Sequence, residues 1–125
     1  MAANKITWFS HASFSIETSK GKTILIDPWF TNNPLSPVSV DAVNKADMIL
    51  VTHDHFDHCA DAVALSQKTG AIVVGFPETV GKFKTGQALP EGNVVPGGMG
   101  MNIGGTVEID GIQVTMTQAF HSSES

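Results

Sequence analysis

The 125-residue sequence contains one cysteine, Cys59, no cluster of lysine and arginine, and no long apolar run. A single cysteine excludes an intrachain disulfide, so a reducing compartment, the cytoplasm, is the expected location. A formal charge of −5 without a basic patch argues against a surface that binds nucleic acid through its phosphates. No stretch approaches the ~20 apolar residues of a membrane helix, and residues 1–5 lack the apolar core of a signal peptide. We therefore expect a soluble protein with neither a nucleic-acid nor a membrane partner.

The chain has enough apolar residues, 42%, to build the core of one small domain over residues 1–125. The pattern predicts two strands, then alternating strands and helices, then a hairpin at Asp110-Gly111. The strands are predicted over residues 6–9, 13–17, 23–26, 47–52, 71–74, 106–109 and 112–117. The helices are predicted over residues 39–45, 60–69 and 78–84.

Three histidines and two aspartates fall within residues 53–58, directly after the apolar run 48–51. Metal ions prefer imidazole and carboxylate ligands, and so dense a cluster rarely serves packing alone. In an extended segment His53 and His55 point the same way, so both rings reach one ion. Asp54 has the opposite parity and is expected to point away from that ion.

Asp57 and His58 follow Phe56, where we expect the chain to turn into the next helix. The two side chains would then face a second ion a few ångströms from the first. Paired ions about 3.5–4 Å apart suit hydrolysis, because together they activate a water and polarise the substrate oxygen. The cysteine that follows, Cys59, is interpreted as a small buried residue rather than a thiolate ligand.

Three further residues are candidates for the same site, each with a plainer alternative. His121 follows the last predicted strand and would complete a three-histidine site, although a single histidine is often a surface residue. His11, between the first two strands, would contact the ligands or line the substrate pocket, or would only bond to backbone at a strand end. Asp27 ends a buried strand before Pro28 and would orient a histidine ligand through its other ring nitrogen, or would cap the following turn.

Residues 52–58 resemble the His-x-His-x-Asp-His signature of the metallo-β-lactamase superfamily. Residues 6–30, with Ser-His-Ala-Ser-Phe and Leu-Ile-Asp-Pro-Trp, resemble one branch of it. That branch holds bacterial and archaeal metal-dependent hydrolases near the L-ascorbate-6-phosphate lactonases. Residues 119–122 resemble the next metal-ligand motif of the superfamily.

The resemblance implies an α+β fold, a four-layer αββα sandwich of which this chain supplies about the first half. It implies that His53, His55 and His121 bind the first ion and that Asp57 and His58 bind the second. Asp57 would also help to position the attacking water. One or two zinc ions are implied, with manganese as the alternative metal.

The leading hypothesis is a metal-dependent hydrolase that uses an activated water on a small-molecule lactone, ester, amide or phosphoester. The alternative is a catalytically incomplete metal-binding half-domain, because half a sandwich exposes an apolar sheet face. Such a half needs a complementing second chain or self-association into a homo-oligomer. With two ligands only, Asp57 and His58, the second ion is expected to bind weakly. Diiron redox chemistry would need more carboxylate ligands than this chain supplies.

Overall fold

A computed structural model of the chain describes residues 3–95 and 97–119. Five strands form one mixed sheet in sequence order: β1 (Lys5–Ser10), β2 (Ser13–Glu17), β3 (Thr23–Ile26), β4 (Met48–Leu50) and β5 (Ile72–Val74). The first three strands pair antiparallel, whereas β3, β4 and β5 are parallel. A separate hairpin is formed by β6 (Thr106–Ile109) and β7 (Ile112–Thr115).

In the part of the chain that the structure describes, three α-helices connect or follow the parallel strands: α1 (Phe56–Cys59), α2 (Ala62–Thr69) and α3 (Pro77–Gly86). Short 3₁₀ turns lie at Val40–Ala42 and Glu91–Asn93. Within residues 3–95 and 97–119, no helix has the length and apolar character that crossing a membrane requires.

The two faces of the five-stranded sheet pack against different layers, because neighbouring residues of a strand point to opposite sides. Leu25 and Ile49 belong to a core shared with helices α2 and α3. Ile24 and Met48, one position earlier in each strand, belong to a second core that includes Ile109 of the hairpin. A helical layer, a five-stranded sheet and a two-stranded sheet therefore follow one another, in agreement with the expected α+β sandwich.

The predicted strands and the Asp110-Gly111 hairpin are confirmed, but two helix predictions need correction. The helix predicted from residue 60 begins at Ala62, because Phe56–Cys59 already forms a separate helical turn. The short helix predicted over residues 39–45 is only the 3₁₀ turn Val40–Ala42. Ser39, the residue before this turn, is of a type that often caps helices, but it makes no side-chain capping hydrogen bond here.

Part of the apolar face on the hairpin side of the sheet reaches solvent. Ile6 and Trp8 on strand β1 are 68% and 64% exposed. Ile6 pairs with Ile16, which packs against the hairpin-side core. The hairpin thus covers the central strands more completely than the edge strand β1.

The glycine-rich segment 97–105 is fixed to the start of α3 at Gly100. This glycine has φ +84°, and a Cβ there would lie 2.5 Å from the carbonyl oxygen of Gly75 and 2.9 Å from Cγ2 of Val80. The next residue, Met101, donates its backbone N–H to the same Gly75 carbonyl at 2.8 Å. Only glycine fits so close an approach in this conformation.

We predict that Gly100→Ala lowers the free energy of unfolding by roughly 2–5 kcal/mol, from left-handed strain plus the clash with backbone. Gly104→Ala is the matched control, since Gly104 has φ +89° but open space around its Cβ position. The control should lose only about 1–2 kcal/mol. Urea unfolding of both variants checks this, and equal losses would contradict the steric account.

Candidate metal centre

The candidate site lies at the carboxyl ends of β3 and β4, which are adjacent because these strands are parallel. Asp27 directly follows β3, and its backbone N–H donates to the Leu50 carbonyl at 2.9 Å. Thr52 follows β4 by two residues, and the histidine segment begins immediately after it. Crevices at the carboxyl ends of parallel strands are where α/β sheets bind ligands.

Asp27 is the polar centre of this edge and is only 2% exposed. Its Oδ1 accepts the Thr52 backbone N–H at 2.7 Å, and its Oδ2 accepts the Thr52 hydroxyl at 2.6 Å. The same Oδ2 lies 2.7 Å from Nδ1 of His58. Asp27 has φ +47°, and the Ser13 hydroxyl donates to its carbonyl at 2.6 Å, which holds this turn. The carboxylate therefore joins the end of β4 to helix α1.

This network assigns the tautomers of two histidines. The Thr52 hydroxyl gives its one proton to Asp27, so its oxygen accepts Nδ1–H of His53 at 2.8 Å. His58 likewise donates Nδ1–H to Asp27. In both rings the lone pair is then on Nε2, which is the form of a histidine metal ligand whose other nitrogen is held by a partner.

The three imidazoles of the segment lie against one another. The ring centroids of His53 and His55 are 4.6 Å apart, and those of His53 and His58 are 4.0 Å apart. Nε2 of His53 is buried. The structure thus brings together these three predicted histidine ligands, whereas the fourth predicted histidine ligand, His121, lies outside the described residues and stays a prediction.

The donor set fits a divalent metal ion, since neutral imidazoles converge beside carboxylates. Ligand atoms of Asp27, His53 and His58 lie within 4.8 Å of one another. Asp27 already accepts three hydrogen bonds, and a carboxylate offers about four lone-pair positions. Asp27 is therefore better suited to orient His58 than to coordinate an ion.

A second group of donors surrounds Asp57 on helix α1. Its Oδ2 lies 2.9 Å from Nε2 of His11, and its Oδ1 lies 3.8 Å from Nε2 of His58. Partial burial raises the pKa of Asp57, but His58, the backbone N–H of Asp57 and His11 together bring it below its usual value. Asp57 is thus ionised at neutral pH, as a metal-binding carboxylate must be.

Two residues next to these donors, Asp54 and Cys59, are occupied by other interactions. Asp54 Oδ2 forms an ion pair with Nζ of Lys82 at 2.5 Å, and this hydrogen bond holds the pKa of Asp54 below its usual range. Burial, with neighbouring carboxylates, raises the pKa of the Cys59 thiol to about 11. A thiol with so high a pKa is protonated at neutral pH, in keeping with a packing residue.

Sequence reasoning missed two residues that support the site, Thr52 and Asp61. Asp61 is 4% exposed, and it accepts the backbone N–H groups of Phe30 and Thr31 at 2.5 and 2.8 Å and the Thr31 hydroxyl at 2.7 Å. It thereby ties the loop after β3 to the start of α2. Its position before an apolar helical run is typical of an N-cap, but its side chain does not cap α2.

A cavity of about 680 Å³ adjoins the histidines, within the range of small-molecule sites. Its lining includes the segment that carries His53, His55 and His58, together with apolar residues of the glycine-rich loop and of the chain from strand β7 onward. Those apolar residues include Met101, Ile103, Val114 and Met116.

Residues 5–125 match the family described as "Beta-lactamase superfamily domain". The chain belongs to this superfamily. It is 43% identical over 120 residues to a UPF0173 metal-dependent hydrolase of Lawsonia intracellularis, covering 96% of this chain and 51% of that protein. It is 48% identical over 122 residues to a relative of the same name in Pyrobaculum islandicum, covering 95% and 51%. The chain spans about half the length of the curated relatives it matches.

The fold of this β-lactamase superfamily chain also has a solved counterpart. Igni18, a metallo hydrolase from the hyperthermophilic archaeon Ignicoccus hospitalis, superposes with a TM-score of 0.78 at 33% sequence identity. The match covers 96% of this chain and 50% of Igni18. Sequence and structure thus agree on the superfamily to which the resemblance pointed.

We predict that Thr52→Val weakens zinc binding by about 10–100-fold, because it removes the hydroxyl that links Asp27 to His53 while keeping the side-chain shape. Thr52→Ser keeps the hydroxyl and is the matched control. Competition of each variant against a zinc chelator measures the affinity. Equal affinities of the valine and serine variants would show that the hydroxyl does not support the site.

Proposed function

We propose that this chain carries the metal-binding half of a metal-dependent hydrolase that acts on small molecules. The observation that carries the proposal is the meeting of three histidine rings beside the Asp27–Thr52 network, next to a cavity of small-molecule size. The names of the relatives, metal-dependent hydrolases, support the same reaction class.

In this proposal His53 and His55, with His121, hold the first ion, and Asp57 and His58 contribute to the second. Bound divalent zinc, or manganese, would lower the pKa of a water and polarise the oxygen of the scissile bond. Asp57 would accept a hydrogen bond from that water and fix its orientation toward the substrate. Asp27 would keep His58 in the ligating tautomer throughout.

The cavity supports substrates with an apolar group next to a lactone, ester, amide or phosphoester bond. Ile103, Val114 and Met116 line the same cavity as the histidines. An apolar acyl or aryl group would bury against these side chains at about 25 cal/mol per Å² of surface removed from water. The scissile bond would then be directed toward the imidazoles.

The exposed apolar surface on strand β1 also supports a partner that would cover it. We propose that this partner is a second copy of this chain or a complementing second half. Ile6 and Trp8 present apolar surface beside the cavity side of the sheet. The single cysteine is buried, which suits the reducing cytoplasm that we propose as the location.

We expect His55→Ala to lose zinc and hydrolysis together, because it removes one imidazole from the first site. Zinc per chain, measured by mass spectrometry of the metal, should fall. The loss of zinc affinity should exceed the about 10–100-fold that is typical when a residue that only hydrogen-bonds to a metal ligand is replaced. Asp54→Asn, one position away, is the control for metal content, since Asp54 pairs with Lys82. Activity is followed on a panel of lactones, esters and phosphoesters. Full zinc content in the alanine variant would reject the assignment.

For the partner, we expect size-exclusion chromatography with light scattering to give a mass above that of one 13.2 kDa chain. Ile6→Lys together with Trp8→Lys should shift the protein toward the monomer, because each charge would have to be buried in the interface. Glu108→Lys on the hairpin is the control for added positive charge. A stable, folded monomer of the wild type would contradict self-association.

A further inference from the structure

The second group of metal-binding side chains has a member that the signature segment does not supply. From sequence, the second ion had only two ligands, Asp57 and His58. The fold adds His11, which is 46 positions before Asp57 and reaches it across the end of the sheet. Ligand atoms of all three residues lie within 4.8 Å of one another.

We propose that His11, Asp57 and His58 form a complete three-ligand site for a divalent cation, with Nε2 of His11 as the third protein ligand. Two imidazoles and one carboxylate suit zinc, and a fourth position stays open for water or substrate. The inference deepens the proposed hydrolase, on which it rests only for the use of the ion in catalysis.

The observed separations need only small adjustments to close around an ion. Zinc–nitrogen distances of about 2.0–2.1 Å put neighbouring ligands of a tetrahedral site roughly 3.3 Å apart. His11 Nε2 and Asp57 Oδ2 are 2.9 Å apart, and His58 Nε2 and Asp57 Oδ1 are 3.8 Å apart. Each pair is thus within about half an ångström of the ligand spacing.

The backbone around His11 is held in an uncommon conformation. His11 has φ +52°, in the left-handed region that few residues other than glycine adopt. The indole N–H of Trp8 donates to the His11 carbonyl at 2.9 Å, and the imidazole lies edge-on to Trp29 with centroids 5.7 Å apart. Strained backbone of this kind concentrates at functional sites, and here it aims the ring at Asp57.

Binding an ion requires one change at His11. His11 now donates its Nε2–H to Asp57. A bound cation would take the place of this Nε2 proton, and the ring would carry its proton on Nδ1 instead. The His11 side chain is 47% exposed, so water can accept the Nδ1–H. No other residue has to move its proton, because Asp27 already fixes the tautomer of His58.

The test counts zinc ions on the full chain and on three variants, after dialysis against buffered free zinc. We expect two ions on the wild type and one on His11→Asn and on Asp57→Asn. The zinc affinity of the second site should fall at least about 100-fold in both variants, more than when a residue that only contacts a ligand is replaced. Asparagine is suited to the left-handed backbone of residue 11, so the turn is kept. Asp54→Asn is the matched control for a carboxylate in the same segment and should bind two ions.

A second measurement separates a ligand from a residue that only orients Asp57. In wild-type protein with ¹⁵N-labelled histidine rings, the second equivalent of zinc should move the Nε2 signal of His11 to the metal-bound range. Two bound ions with an unmoved His11 signal would overturn the proposal, as would two ions on His11→Asn. Circular dichroism checks folding, and His11→Gly replaces the asparagine variant if that one does not fold.

The outcomes also separate this inference from the proposed function. A wild-type chain that binds no zinc would refute both. A wild-type chain that binds one ion, lost in His53→Ala, would leave the hydrolase proposal standing and refute the three-ligand site.

Discussion

Removing the Asp27 carboxylate from water carries an electrostatic cost that its hydrogen-bond donors must offset. The Thr52 backbone N–H, the Thr52 hydroxyl and His58 Nδ1–H provide those donors, all within 2.7 Å. Because they come from the end of β4 and from α1, satisfying one charge fixes the positions of three elements. The tautomers of His53 and His58 follow from the same bonds. The candidate metal centre is thus organised by a residue that need not touch an ion.

Backbone strain accompanies this organisation. His11 and Asp27 both have positive φ, and both lie at the candidate site. Such residues cost on the order of 1–3 kcal/mol each and persist only where surrounding bonds hold them. The Ser13 hydroxyl, which donates to the Asp27 carbonyl, and the Trp8 indole, which donates to the His11 carbonyl, are two of those bonds. Side chains of the first two strands therefore support the metal centre from outside the signature segment.

The two faces of the five-stranded sheet are covered to different extents. Leu65 of α2 and Phe83 of α3 are almost completely buried against the helix-side face, which makes that side a rigid support. On the other face Val114 and Met116 of the hairpin region are only partly buried, and they line the same cavity as the histidines. The candidate site therefore lies at the end of a well-packed sheet, on the side of the less complete layer.

Much of this protein could be predicted from local patterns. Alternating and continuous apolar runs gave the strands, since side-chain parity and burial are properties of neighbouring residues. The density of histidines in residues 53–58 predicted imidazole metal ligands, because few other roles need three imidazoles so close together. The start of α2 and the absence of a helix at residues 39–45 were mispredicted, since caps and short turns depend on contacts with the rest of the fold.

The sequence by itself determined the strands, the superfamily and the side-chain types of the candidate metal-binding segment. The sequence also named Asp27 and His11 as candidates, each with a plainer alternative, and only the tertiary structure decided which partners they meet: the parallel pairing of β3 with β4 put Asp27 beside Thr52, and the turn between β1 and β2 put His11 beside Asp57. No local pattern encodes these approaches. These contacts arise because burying both faces of the sheet fixes the order of its strands. The strand order in turn determines which strand ends lie next to each other.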